Sequence, residues 1–241
     1  MAQSNRALGS RQPDALAPNS NRDFWDSSKM HFRLTNKELG VTPTSKVVLG
    51  LSIGNGSLVA VKIVKFAPMN LSAMSRRRRV RDGYLVASSL DTILAEVKTM
   101  SALRSTKIVG YVTAAVFDER HELFLVMEYV SGGSLHHIAR SHQDSRVPLW
   151  LARRYLREVL ESLKYLHTKG VVHCDIKPQN VLVPDVGPCK LSDFGISRTI
   201  SEVSPSKWPN NGTPMYMAPE AFRATLHKNQ MFTVSVLCSE R

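Results

Sequence analysis

The chain has 241 residues, 43% of them hydrophobic, and a formal net charge of +12. That is enough apolar material for a packed core, which excludes a chain disordered throughout. The three cysteines, Cys174, Cys189 and Cys238, fit neither a metal-ligand spacing nor a disulfide framework, the usage of a reducing compartment. No apolar stretch follows Met1–Arg6, so a secretory leader is not expected, and no apolar run is long enough to span a bilayer.

Residues 1–30 are polar, with Pro13 and Pro18 and no sustained periodicity, and are expected to be disordered. Phe32-Arg33-Leu34 alternates as a half-buried strand does. Val47–Leu51 and Ser57–Val64 are β-branched and apolar, and Ile53-Gly54-Asn55-Gly56 between them suits a tight hairpin turn. A helix is expected over Ser89–Leu103, with Leu90, Ile93, Leu94, Val97 and Met100 at three- and four-residue spacing. Two strands follow, about Ile108–Asp118 and Leu123–Glu128. Five strands and one helix make a small lobe.

Beyond it, Gly132-Gly133-Ser134 breaks the pattern and caps a short helix starting at Leu135. Leu149–Thr168 is strongly helical, placing Tyr155, Leu156, Val159, Leu160, Leu163 and Leu166 on one face, and Gly170 ends it. Val181–Val183 and Lys190–Ser192 read as a hairpin. Positive charge concentrates in Arg76-Arg77-Arg78-Arg79, with Arg81 beyond. No aromatic residues are interleaved to stack bases, so nucleic acid is not an expected partner. A solvated surface loop is the first reading, and a nuclear-import or acidic-docking segment the second.

The chemistry is concentrated in His173-Cys174-Asp175-Ile176-Lys177-Pro178-Gln179-Asn180 and Asp193-Phe194-Gly195. Phosphoryl transfer needs a group to receive a hydroxyl proton and hard oxygens to hold Mg²⁺ against phosphates. Asp175, Asn180 and Asp193 supply such a set, with Lys177 as a positive group between them. The two motifs, in this order and separation, resemble the catalytic loop and metal-binding motif of eukaryotic protein kinases.

The resemblance covers about Phe32–Glu220 and implies an α+β, bilobal protein-kinase-like fold. Its N-lobe would span about 31–127 as a five-stranded antiparallel sheet with one helix. A hinge at about 128–133 and an incomplete, mainly helical C-lobe over 134–241 would follow. Val59-Ala60-Val61-Lys62 looks like the strand presenting the phosphate-binding lysine, and Glu96 like the helix glutamate that pairs with it. Nucleotide contacts are implied at Leu39, Gly40, Val47, Ala60, Lys62, Met127, Glu128, Val130 and Leu182. Asp175 would accept the substrate proton, Lys177 would neutralise the transferring phosphate, and Asn180 and Asp193 would hold Mg²⁺. Lysine two places after Asp175 is similar to serine/threonine kinases. Gly212–Glu220 resembles the end of an activation segment in the MAP kinase kinase kinase group, where Thr213 would contact Asp175 and Lys177.

The implied function is transfer of the γ-phosphate of Mg·ATP to protein Ser/Thr hydroxyls in a signalling cascade, with a downstream kinase as one substrate. A cytoplasmic location follows, with nuclear entry tied to the arginine run. The alternative is a pseudokinase or scaffold that binds nucleotide weakly. Three departures from the family pattern stand out, of which the first and third favour it. The glycine-rich loop retains only Gly40, with Thr42 and Ser45 at the other glycine positions and Pro43 lacking an N–H. Cys174 stands where many kinases carry a phosphate-pairing arginine. Phe232–Cys238 matches the start of the next family helix only at Ser235 and Cys238, and the resemblance implies further helices after it.

Overall fold

The computed structural model describes residues 22–42, 45–66, 80–81, 84–85, 90–142, 147–199 and 213–217. Its first lobe is a six-stranded antiparallel sheet, in the order β1-β2-β3-β4-β8-β7. The strands are β1 (Asp23–Trp25), β2 (His31–Val41), β3 (Ser45–Ser52), β4 (Leu58–Lys65), β7 (Tyr111–Phe117) and β8 (Glu122–Glu128). A separate two-stranded ribbon, β5 (Val80–Arg81) and β6 (Tyr84–Leu85), precedes helix α1 (Leu90–Ala102). The β3–β4 turn is made as the sequence requires: Gly56 adopts φ +71° and the Asn55 side chain accepts the Ser57 N–H at 3.0 Å.

β4 sits at the centre and is buried from Val59 to Val64, because both faces of the sheet are covered. One face turns inward onto Phe24, Phe32, Val48, Val59, Val61, Phe124 and Val126. The other packs on α1 through Ile93 and Met100. Leu94, expected on the buried stripe of α1, is instead 42% exposed, since only one side of the helix meets the sheet.

The structure corrects the expectation of disorder up to residue 30 and of five strands. β1 pairs with β2 in register, Phe24 opposite Phe32, and adds a sixth strand. Phe24 is 3% exposed, stacks on Phe32 at 5.3 Å and meets the Phe124 ring edge-on at 5.0 Å. Asp26, in the turn after β1, is buried. Its carboxylate accepts the Ser28 and Met30 N–H groups at 3.0 and 2.8 Å and the Thr113 hydroxyl at 2.7 Å. Because Thr113 lies on β7, this bond ties the turn after β1 to the strand at the opposite edge of the sheet. Residues 1–21 lie outside the described residues.

The second lobe begins with α2 (Leu135–Ser141), capped by the Ser134 hydroxyl, which accepts the His137 N–H at 3.2 Å. Helix α3 (Leu149–Thr168) follows and ends at Gly170, φ +71°. Short antiparallel pairs come next: β9 (Val171–Val172) with β12 (Arg198–Thr199), and β10 (Val181–Leu182) with β11 (Lys190–Leu191). α3 buries Tyr155, Val159, Ser162, Leu163 and Leu166. Its expected face is corrected at Leu160, which is 47% exposed, and at Leu156, which is half-buried. The buried stripe is narrower than the apolar periodicity implies. One apolar cluster runs without a break from α1 and β8 through Tyr155, Leu163 and Leu166 to Leu191 and Phe194. The further helices expected beyond residue 217, and the arginine run 76–79, lie outside the described residues. Among the described residues no helix is long and apolar enough to cross a membrane.

Candidate active site

Lys62 stands in mid-strand on β4, opposite Val47 of β3 and Leu125 of β8. That rigid setting aims its side chain at α1, whose register places Glu96 across from it. Lys62 Nζ lies 2.8 Å from Glu96 Oε1 and 2.8 Å from Asp193 Oδ1. Lys62 and Glu96 are both buried, so each needs the other's charge. Burial of Lys62 opposes its protonation, but Asp193 and Glu96 outweigh that and raise its pKa above the ordinary lysine range. Asp193 is the mirror case: burial raises its pKa, and Lys62 more than reverses this, so the carboxyl stays ionised to lower pH than usual. Gly195 lies beside the three. A Cβ there would sit 3.4 Å from carboxylate oxygens of Asp193 and Glu96 and 3.6 Å from Lys62 Nζ, in van der Waals contact with the charged cluster.

Asp175 is the centre of a second cluster. Lys177 Nζ is 2.6 Å from its Oδ2, and the Asn180 amide donates to the same oxygen at 3.0 Å and to the Asp175 carbonyl at 2.9 Å. Thr213, far along the chain, donates its hydroxyl to Asp175 Oδ1 at 3.0 Å and accepts from Lys177 Nζ at 3.0 Å. The expected meeting of Thr213 with Asp175 and Lys177 is therefore present.

His173 joins the two clusters, a part that the motif's residue types do not reveal. It is 1% exposed, with its ring 4.9 Å from that of Phe194. Nδ1 accepts the Asp175 N–H at 3.3 Å, which makes Nε2 the donor to the Ser192 carbonyl at 2.9 Å. Burial lowers its pKa and keeps the ring neutral, as that tautomer requires. Ser192 in turn donates both its N–H, at 2.9 Å, and its hydroxyl, at 3.1 Å, to the Asn180 carbonyl. Asp175, Asn180 and Asp193 are thus braced by one neutral network. Cys174 and Asp193 adopt φ +67° and +62°, a left-handed conformation uncommon outside glycine and frequent at functional sites. Burial pushes the Cys174 thiol up to about 11, so it is a neutral group and not an anion-pairing one.

Of the residues expected to contact nucleotide, Ala60 and Met127 face each other across β4 and β8 and are both buried, as is Val130. Leu182 of β10 is half-buried. Leu39 and Gly40 are exposed at the end of β2. A Cβ at Gly40 would meet nothing within 4 Å, so glycine is not demanded there by packing. The following turn closes on itself: the Thr42 N–H donates to the Ser45 carbonyl at 2.8 Å and the Ser45 N–H to the Thr42 hydroxyl at 3.0 Å. Pro43 and Thr44 lie outside the described residues.

The donor set fits a hard cation. With its amide nitrogen on Asp175, Asn180 keeps its carbonyl oxygen, and Asp193 keeps Oδ2, on a side chain 38% exposed. Among the described residues no group of three or more His, Cys, Asp or Glu forms a metal site. A cation here would share Asn180 and Asp193 with the oxygens of a substrate, the habit of Mg²⁺.

A family model describing the protein kinase domain matches residues 34–240. The chain belongs to the protein kinase family. It is of the serine/threonine type and close to the MAP kinase kinase kinase group. It is 33% identical over 183 residues to MAP3K epsilon protein kinase 1 of Brassica napus, covering 76% of this chain and 13% of the relative. Identity to mitogen-activated protein kinase kinase kinase 3 of Arabidopsis thaliana is 30% over 203 residues, covering 83% of this chain and 29% of the relative. The serine/threonine-protein kinase BCK1/SLK1/SSP31 of Saccharomyces cerevisiae is 34% identical over 179 residues, 72% of this chain and 11% of the relative. The chain spans less than a third of each of these relatives.

Proposed function

We propose that the chain transfers the γ-phosphate of Mg·ATP to Ser/Thr hydroxyls of a protein, with a downstream kinase as the substrate class, in a cytoplasmic signalling cascade. The observation that carries this reading is Asp175, whose carboxylate is held by Lys177, Asn180 and Thr213 within 3.0 Å. An acceptor fixed in this way can orient an incoming hydroxyl and take its proton without reorganising. Lys177, already beside that carboxylate, would neutralise charge developing on the transferred phosphoryl group. Lys62, fixed by Glu96, would hold the α and β phosphates. Ala60, Val47, Leu39 and Leu182 would enclose the adenine, while Met127 backs it and the main chain at Glu128 and Val130 meets its polar edge. Mg²⁺ at Asn180 and Asp193, when bound, supplies charge to offset the phosphate oxygens.

A second reading, a scaffold that binds nucleotide weakly, is favoured by the turn at Thr42–Ser45. The Thr42 and Ser45 N–H groups are already used within the turn and would have to be released to meet phosphate. Phosphotransfer from labelled Mg·ATP to a generic protein substrate separates the two readings. Asp175→Asn should lower kcat by roughly 10²–10⁴-fold, and Asp193→Asn should abolish the Mg²⁺ dependence of what remains. Folded protein that binds nucleotide and transfers nothing would leave only the scaffold.

A further inference from the structure

One ion pair outside the catalytic clusters joins the two lobes. Lys190, on β11 of the second lobe, places Nζ 2.9 Å from Oε1 and 3.1 Å from Oε2 of Glu128, the last residue of β8 in the first. We infer that Lys190 is a positioning residue for nucleotide: by holding the Glu128 carboxylate it fixes the main chain that begins the connection between the lobes. The inference rests on the kinase reading above.

Glu128 is gripped twice by one residue. Its Oε2 accepts the Gly110 N–H at 3.0 Å, and its own N–H donates to the Gly110 carbonyl at 2.8 Å. The loop holding Gly110 is itself tied to β11, with Val109 N–H donating to the Leu191 carbonyl and Leu191 N–H to the Lys107 carbonyl, both at 2.9 Å. Three segments therefore meet at one carboxylate: the loop after α1, the end of β8 and the strand leading to Asp193. Three of these contacts are backbone bonds, one within the first lobe and two to β11. Among the described residues Lys190 is the single cation bonded to the carboxylate, and its side chain is only 14% exposed.

The Glu128 side chain is 39% exposed, so without that cation its carboxylate keeps one amide donor and is open to water. Its carboxylate would swing outward and draw with it the backbone from Glu128 to Val130. Lys62, Glu96, Asp175 and Asp193 make no contact with this pair, so the chemical step should be spared. Replacement of Lys190 should therefore weaken nucleotide binding selectively.

Direct titration of the full chain with a fluorescent ADP analogue, alongside KM for ATP and kcat, tests this. Lys190→Met should raise both Kd and KM by roughly 5–30-fold with kcat changing far less, and Lys190→Arg should restore most of the affinity. Glu128→Gln combined with Lys190→Met should bind no more weakly than the weaker single variant. If Lys190→Met does not fold, Gly110→Ala carries the same comparison, since a Cβ there would press on Glu128 Oε2 at 3.2 Å. Unchanged Kd in Lys190→Met, or losses that add in the double variant, would overturn the inference. Wild-type protein that binds nucleotide without transferring phosphate would overturn the proposed function alone, because the affinity comparison needs no turnover.

Discussion

His173 is the residue whose position does most to explain why the two motifs hold together. A buried neutral imidazole that accepts from Asp175 and donates to Ser192 cannot take up a proton without breaking one of those bonds. Its pKa is lowered by burial, so above pH 6.5 folded and unfolded chains both carry it neutral, and its contribution to stability is complete. As pH falls below 6.5, the unfolded chain binds a proton that the folded one refuses, and stability declines until the folded pKa is passed. The expected slope is at most about 1.4 kcal/mol per pH unit, for one proton. Urea unfolding between pH 7.5 and 5 should show this slope in the wild type and its loss in His173→Asn. A parallel slope in both proteins would remove the role assigned here. At this scale the sequence pointed to residues that the fold does bring together, Lys62 with Asp193 and Asp175 with Asn180, because their types are those that phosphate chemistry would use. Bridging roles were not readable: nothing in residue type says that His173 faces Ser192, or that Lys190 meets Glu128 across the lobes.

Among the elements, β1 is the one that local pattern could not announce. Three residues, Asp23–Trp25, make too short a run to show alternation, and their polar N-terminal context reads as disorder. What orders them is distant: the Phe24 pocket formed by Phe32, Phe117 and Phe124, and the Asp26–Thr113 bond. Phe24→Ala should cost about 3–5 kcal/mol, as for other fully buried aromatic truncations. The check is the urea midpoint. A variant within 0.5 kcal/mol of wild type, the range of an ordinary surface change, would show that the strand is ornamental. By contrast α3, β4 and the β10–β11 hairpin were legible, because length, β-branching or a glycine stop marks each one locally. The faces of α1 and α3 were legible only in part. Periodicity identifies an apolar stripe, but Leu94 and Leu160 lie on its margin, where the neighbouring elements decide burial.

For the whole molecule, the uninterrupted cluster from Ile93 and Met100 to Leu163 and Leu166 implies that the lobes are energetically one unit. Unfolding followed by far-UV circular dichroism, dominated by helices such as α3, and by fluorescence of Trp25 on β1 against a Trp150→Phe, Trp208→Phe background should give one midpoint. Met100→Ala should move both signals together. Separate midpoints would mean that the shared core does not couple the lobes. The order of synthesis adds a constraint of another kind. Asp26 and Thr113 are 87 positions apart, so the bond between the turn after β1 and β7 has to wait until β7 has emerged. Until Phe117 and Phe124 follow, Phe24 rests on Phe32 alone, and the nascent lobe carries an open edge with an aromatic side chain beside it. Chains whose translation stalls before Phe124 should therefore be the ones that chaperones hold, and release should coincide with completion of the Phe24 pocket.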